Sequence, residues 1–275
     1  MTKSYALALG GGGARGLAHI AVLEALDEIG AKPAAIAATS SGALLAAAYA
    51  AGISGRDIRR FVIALAHDRG EVFRRLVASR ASTFASLFSI GLGSAALLDA
   101  EKFCRQFLPE PVPEQFEELR IPLAVVATDL YRRRQAVFSA GPLIPALAAS
   151  IALPTLMRPV VVERRVLIDG AATNPLPFDA LPRHADIIIA VDITGVPSEE
   201  RRDVPNPWEC LLATILVMGS AIVAEKVKQS APDLIVRPNV GTFRAVDFFQ
   251  ASAILRAAEP IKKDIKRALP ALLGG

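Results

Sequence analysis

Short apolar runs alternate with longer stretches of helical periodicity along most of the chain. Residues 5–9, 34–38, 121–128, 166–168, 187–191 and 234–236 are apolar enough, and short enough, to read as buried strands. Between them apolar residues recur at helical spacing. In 17–29 the positions are Leu17, Ile20, Val22, Leu23 and Leu26, stopped by Gly30. Residues 43–51 are almost all Ala and Leu and stop at Gly52, and further helices are expected at 56–66, 99–107, 143–152, 208–229 and 246–269. Strands followed by helices predict an α/β fold, three layers (α/β/α) around a mainly parallel central sheet. After Arg132-Arg133-Arg134, residues 135–139 are expected to pair back on the preceding strand. The pattern loosens over 53–118, read as a helical insertion within a single domain spanning 1–275.

Composition supports a large core. Of 275 residues 52% are hydrophobic and only 21% charged, which excludes disorder. Three uncharged runs, 33–55, 135–157 and 210–224, imitate membrane segments. The first holds Pro33, several Gly and Ser and a strand-turn-helix, the second carries three prolines, and the third falls short of the roughly 20 residues a spanning helix needs, so all three are expected to be buried. Cys104 and Cys210 lack metal-ligand spacing and are expected to be buried free thiols, so no metal or cofactor is expected. The chain enters its first strand within a few residues of Met1, without a secretory pattern, and a cytoplasmic location is expected.

The net charge of +4 comes with no Lys/Arg stripe interleaved with aromatics, so nucleic acid is not an expected partner. It does suit an anionic lipid surface. Arg69, Arg74, Arg75 and Arg80 precede an uncharged stretch, 81–98, that contains Phe84 and Phe88. One reading is a helical cover packed on the sheet. The other is an apolar cover meeting lipid through Arg74, Arg75, Arg80, Phe84 and Phe88, which would place the protein peripherally at a membrane.

The candidate chemistry begins at Ala38-Thr39-Ser40-Ser41-Gly42-Ala43, between a predicted strand and a predicted helix. A serine there, with small residues two places before and after, has the pattern of a nucleophile elbow. Ala38 and Gly42 flank Ser40 at those positions, a better fit than Thr39 and Ala43 around Ser41. A plain helix N-cap serine is the alternative. Gly10-Gly11-Gly12-Gly13-Ala14-Arg15-Gly16 also lies between a strand and a helix, where backbone N–H groups face an anion. Gly11-x-Gly13-x-x-Gly16 satisfies a dinucleotide fingerprint, and a nucleotide-binding module is one alternative function. That fingerprint wants an acidic residue about 20 positions on, yet no Asp or Glu occurs between Glu28 and Asp57. An oxyanion hole suits the loop better, because parallel strands would deliver it and Ser40 to one sheet edge.

A serine hydroxyl needs a base. The order Ser40, Asp169, His184 formally matches a hydrolase triad. His184 precedes the strand at 187–191 and so should sit at the opposite edge; His67 lies in the loose insertion and His19 on the first helix. A carboxylate base remains, with Asp169 ending a buried strand before Gly170; an ordinary Asp-Gly turn is the other reading.

Together, Gly11-Gly12-Gly13-Ala14-Arg15-Gly16, Thr39-Ser40-Ser41-Gly42-Ala43 and Asp169-Gly170-Ala171 with Asn174-Pro175 resemble the patatin-like phospholipase family. Ala127-Thr128-Asp129-Leu130 falls between them in the matching order, and the likeness runs over residues 5–191. The resemblance implies a Ser–Asp dyad without histidine, an acyl-enzyme intermediate, and phospholipid or lysophospholipid substrates. By matching position it makes Ser40 the nucleophile and Asp169 the base. Gly11, Gly12 and Gly13 become the oxyanion donors, with Arg15 and Gly16 supporting their loop. The departure is Ala38 where the family's elbow has glycine, which leaves a catalytically weak regulatory member of the fold as a further alternative.

Overall fold

The computed structural model describes residues 3–80, 97–181, 185–194, 204 and 207–274. Eight strands form one sheet: β1 Tyr5–Leu9, β2 Ala35–Thr39, β3 Leu123–Asp129, β4 Arg134–Phe138, β5 Val160–Val162, β6 Arg165–Asp169, β7 Ile187–Val191 and β8 Leu234–Val236. The strands β3, β2, β1, β7 and β8 run parallel to their neighbours, while β4 and β6 are antiparallel to β3 and β5 is antiparallel to β6. The sheet is thus mainly parallel, as the alternating pattern predicts.

The helices are α1 His19–Glu28, α2 Ser41–Ala50, α3 Gly55–His67, α4 Arg69–Ala78, α5 Ala100–Phe107, α6 Leu143–Ile151, α7 Pro207–Gln229, α8 Ala251–Ala258 and α9 Ile261–Leu273. Strand side chains alternate between faces. Leu7, Leu9, Ile36 and Ala38 pack into the larger core with α1, α2, α6, α8 and α9. Ala6, Ala8, Ala37 and Ala190 face the other way, against Leu176, Phe178, Leu181 and Val223 of α7. These are the three layers.

The pairing around β3 decides where the chemistry can be. A strand has two edges. β4 takes one of them, along Val125–Asp129. β2 pairs with the opposite edge from Leu123 to Val126, and β6 pairs with β3 from Ala127 to Asp129. Because β4 already covers that second stretch, β6 must share the β2 edge. The two strands therefore run toward each other along one edge, β2 ending at Thr39 opposite Val126 and β6 ending at Asp169 opposite Ala127. Their ends meet where Ser40 begins its turn.

Several expectations need correction. The run at 210–224 is not buried: Leu211, Val217 and Met218 of α7 are exposed, and Cys210 is exposed while Cys104 is buried. The predicted helix at 246–269 is two helices, α8 and α9, preceded by a 3-10 turn at Phe248–Gln250. Pro260, which cannot continue a helix, stands at the break. The loose insertion contains α4, capped by Asp68, whose side chain accepts from the Glu71 amide at 2.8 Å. Strand β5 makes a hairpin with β6 that the apolar pattern did not reveal. Phe84, Phe88 and His184 lie outside the described residues.

Gly170 follows Asp169 at the meeting point of β2 and β6. A Cβ there would run into the carbonyl of Val126 and come within 3.0 Å of Thr39 Cγ2. Gly170→Ala is therefore expected to lose about 1–3 kcal/mol of stability, read from the urea midpoint. An unchanged midpoint would mean that the junction is not packed this tightly.

Candidate active site

Ser40 leaves β2 with φ 55° and ψ −129°, a left-handed conformation for a residue with a side chain. Such strain costs on the order of 1–3 kcal/mol and persists only where surroundings impose it. Here they do. The Ser40 amide donates to Ser150 Oγ at 2.8 Å, and that hydroxyl donates onward to the Val126 carbonyl at 2.7 Å. Thr39 Oγ1 donates to the Asn174 carbonyl at 2.8 Å. Gly42 lets the turn close, since a Cβ there would lie 2.6 Å from the carbonyls of Leu9 and Gly10. The methyl of Ala38 is fully buried in the larger core, so the strand accommodates it in place of glycine.

The junction of β2 and β6 brings Ser40 and Asp169 together: Ser40 Oγ donates to Asp169 Oδ2 at 2.7 Å. The other carboxylate oxygen accepts from the Ala171 amide at 2.8 Å, which fixes the plane of the carboxylate. Both side chains are buried. Burial pushes the Asp169 pKa up to about 6, against the lowering effect of its bonds to Ser40 and Ala171. A carboxylate raised this far is a stronger base than an ordinary aspartate and is still ionised at neutral pH.

No histidine among the described residues bonds to either group. His19 is fully buried under the glycine loop, its Nε2 bonded to the Gly10 carbonyl at 2.8 Å, and burial lowers its pKa to about 4. It is neutral and structural. His67 ends α3.

The glycine loop leaves β1 and lies against Ser40: a side chain on Gly11 would start 2.9 Å from Ser40 Cβ. Its amides are not equivalent. Gly11 donates to the Pro175 carbonyl at 2.9 Å, and Ala14 to the Ala245 carbonyl at 2.7 Å. This corrects the expectation that Gly11 supplies an oxyanion donor, because its N–H is already engaged. The amides of Gly12 and Gly13 have no hydrogen-bond partner among the described residues. Arg15 ties the loop down, donating through Nε to the Phe243 carbonyl at 2.7 Å and through its other nitrogens to the carbonyls of Thr194 and Gly241. Gly16 packs on Ser41 beneath the elbow.

Other supports are less visible in the sequence. Ser150 is the one polar side chain in α6, and a fully buried hydroxyl in an apolar helix implies a bond. Asn174 Nδ2 donates to Gln135 Oε1 at 2.6 Å and to Asp179 Oδ1 at 2.9 Å, while Lys226 of α7 donates to Asn174 Oδ1 and Asp179. This polar knot fixes the two carbonyls, of Asn174 and Pro175, that hold Thr39 and Gly11. Beside Asp169 lies a cavity of about 130 Å³, lined by Leu153, Pro154, Ala171, Ala172, Ile215 and Met218. Its walls are apolar, and two of them come from α7.

The arginines expected to meet lipid are elsewhere. Arg74 and Arg75 both pair with Glu71, and Arg75 also donates to the Gln106 carbonyl, so their charge is largely satisfied within the protein. Arg80 is exposed where it bridges Leu98. None of the three lines the cavity beside Asp169.

The family described as patatin-like phospholipase matches residues 7–182. A Mycobacterium tuberculosis protein named as an uncharacterized NTE family protein is 37% identical over 203 residues, covering 73% of this chain and 52% of that protein. Lysophospholipase NTE1 of Coccidioides immitis is 26% identical over 95% of this chain and 17% of its own length. The rat patatin-like phospholipase domain-containing protein 7 is 28% identical over 90% and 19%. The chain thus spans about half the length of the first of these relatives and under a fifth of the other two. The solved structure of VipD from Legionella pneumophila superposes with a TM-score of 0.51 at 16% identity, covering 96% of this chain and 66% of that one, a likeness of fold. On the match over residues 7–182, this chain belongs to the patatin-like phospholipase family.

Proposed function

We propose that the protein is a serine acyl hydrolase that cleaves carboxylic esters of phospholipids or lysophospholipids through a Ser40–Asp169 dyad. The observation that carries this reading is the 2.7 Å hydrogen bond between a strained, buried serine and a buried aspartate of raised pKa, beside an apolar cavity. Family membership and relatives named as lysophospholipase and phospholipase support the substrate class.

Ser40 Oγ attacks the ester carbonyl carbon as its proton passes to Asp169. The carbonyl oxygen becomes an oxyanion, met by the amides of Gly12 and Gly13, which have no partner among the described residues; one such donor contributes about 2.7–4 kcal/mol in the transition state. The tetrahedral intermediate collapses, the alcohol leaves with the proton held by Asp169, and the acyl group stays on Ser40. Water then gives its proton to Asp169, attacks the acyl-enzyme and releases the fatty acid, restoring the hydroxyl. The acyl chain lies in the cavity between Leu153, Pro154 and the α7 residues Ile215 and Met218.

Ser40→Ala is expected to lower kcat/KM on a lysophospholipid by about 10⁴-fold, with the thermal midpoint little changed. Turnover surviving at a tenth of wild type would refute the nucleophile. The rate should follow ionised Asp169: flat above pH about 6 and falling tenfold per unit below it. A profile flat to pH 4.5 would remove Asp169 as base.

Stability should run the other way. The folded pKa of Asp169 is raised above its ordinary 3.8, so its contribution to stability is fully present below that value and lost as pH rises through about 6. Asp169→Asn keeps the bond from the Ala171 amide to its one carbonyl oxygen and turns its NH2 to donate to Ser40 Oγ, without the buried charge. It is expected to be inactive yet about 1–3 kcal/mol more stable than wild type at pH 7.5, with the difference vanishing below pH 4 in urea titrations. A destabilised Asp169→Asn at pH 7.5 would contradict this. Asn174→Ala should lower kcat by about 10–100-fold through misplacement of Thr39 and Gly11, with KM little affected; an unchanged kcat would show that the polar knot does not position the site.

A further inference from the structure

We propose that the exposed face of α7 is the surface by which the protein docks onto an anionic phospholipid bilayer, presenting the cavity beside Asp169 to the acyl chains. The proposal rests on the lipid-ester reading above and says which surface meets the lipid.

Helix α7 is 23 residues long, about 34 Å at 1.5 Å per residue. Among its described side chains only a narrow seam, Leu212, Gly219 and Val223, is buried. Gly219 rests on Pro175, and Ile215 and Met218 wall the cavity at the catalytic edge, so the N-terminal half of the helix stands at the mouth of the site. The half-turned outward carries no charge from Cys210 to Ala224, with Leu211 44%, Val217 69% and Met218 59% exposed.

Its two hydroxyls direct their protons back to the helix. Thr214 Oγ1 donates to the Cys210 carbonyl at 2.9 Å and Ser220 Oγ to the Leu216 carbonyl at 3.0 Å, each four residues back. Hydroxyls folded onto their own helix leave an apolar surface. Residues Cys210–Gln229 are long and apolar enough to cross a membrane by length and composition. The buried seam and the bonds from Lys226 to Asn174 and Asp179 instead hold α7 against the protein, the placement of a helix lying in the interface.

Charge at the same edge selects the surface. The turn after β3 carries Tyr131, 78% exposed, and then Arg132 and Arg133, with Arg134 opening β4. Arg133 and Arg134 have no ion pair among the described residues. The turn leads into Gln135, which Asn174 joins to Lys226 of α7. An aromatic ring with unpaired arginines, tied through Gln135 and Asn174 to the Lys226 end of a helix whose preceding turns are uncharged, matches the headgroup and acyl layers of an anionic membrane.

The test uses sedimentation with phosphatidylcholine–phosphatidylglycerol vesicles (3:1), comparing wild type with a Leu211→Glu, Val217→Glu double variant, neither residue lining the cavity. Vesicle binding and hydrolysis of vesicle lipid are expected to fall at least tenfold, while hydrolysis of a soluble short-chain ester is unchanged. Val217→Trp should raise binding, and Arg133→Glu should weaken it and reduce its salt dependence. Equal vesicle binding by wild type and the double variant would overturn the proposal. So would a wild-type dimer in light scattering that becomes a monomer in the double variant without any vesicle binding by either, which would make this face a contact between copies. If both proteins fail on the soluble ester, the hydrolase reading fails, and vesicle binding still decides the docking surface.

Discussion

Everything at this site depends on how many strands one edge of β3 can hold. β2 uses the first four residues of that edge and β6 the remaining three, so the two strands must stop where they meet. One supplies Ser40 and the other Asp169, and the serine can turn only by adopting a positive φ that Ser150, Thr39 and Gly42 enforce. Strand pairing brings the two positions together, and the enforced turn sets the 2.7 Å contact between the hydroxyl and the carboxylate. The same junction buries Asp169, which raises its pKa and makes it a better base at a cost in stability. Strain and buried charge collect at one place because a large alanine- and leucine-rich core holds it.

Much of this was legible in the sequence because its signals are short-range. The strand–turn–helix around Ser40, the glycine run before α1 and the Asp169-Gly170 strand end each announce themselves within a few residues. What escaped was the direction of approach. Asp169 reaches the catalytic edge on an antiparallel strand that enters from beyond β3, and β5, with three residues, is too short for periodicity to find. Nor does a glycine motif say which amide is free: Gly11, Gly12 and Gly13 look alike, yet only Gly11 has the Pro175 carbonyl within reach. The break at Pro260 was written in the chain, but amphipathic spacing on both sides concealed it.

Hydropathy misled most at α7. An uncharged run signals removal from water without saying what removes it. The run at 33–55 enters the core, whereas that at 210–224 buries one seam and leaves half its circumference outside. Lys226 carries the connection inward, since its bonds to Asn174 and Asp179 anchor α7 to the segment whose carbonyls hold both the elbow and the glycine loop. The helix that walls the cavity is thereby also part of the frame of the site.

The central claim, a serine activated by Asp169 alone, is tested most directly by reaction with a fluorophosphonate and mass spectrometry of the resulting peptides. The account predicts one adduct, on Ser40, formed in wild type and in His19→Gln but lost in Asp169→Asn while that variant remains folded. An adduct on another serine, or undiminished labelling of Ser40 in Asp169→Asn, would contradict it.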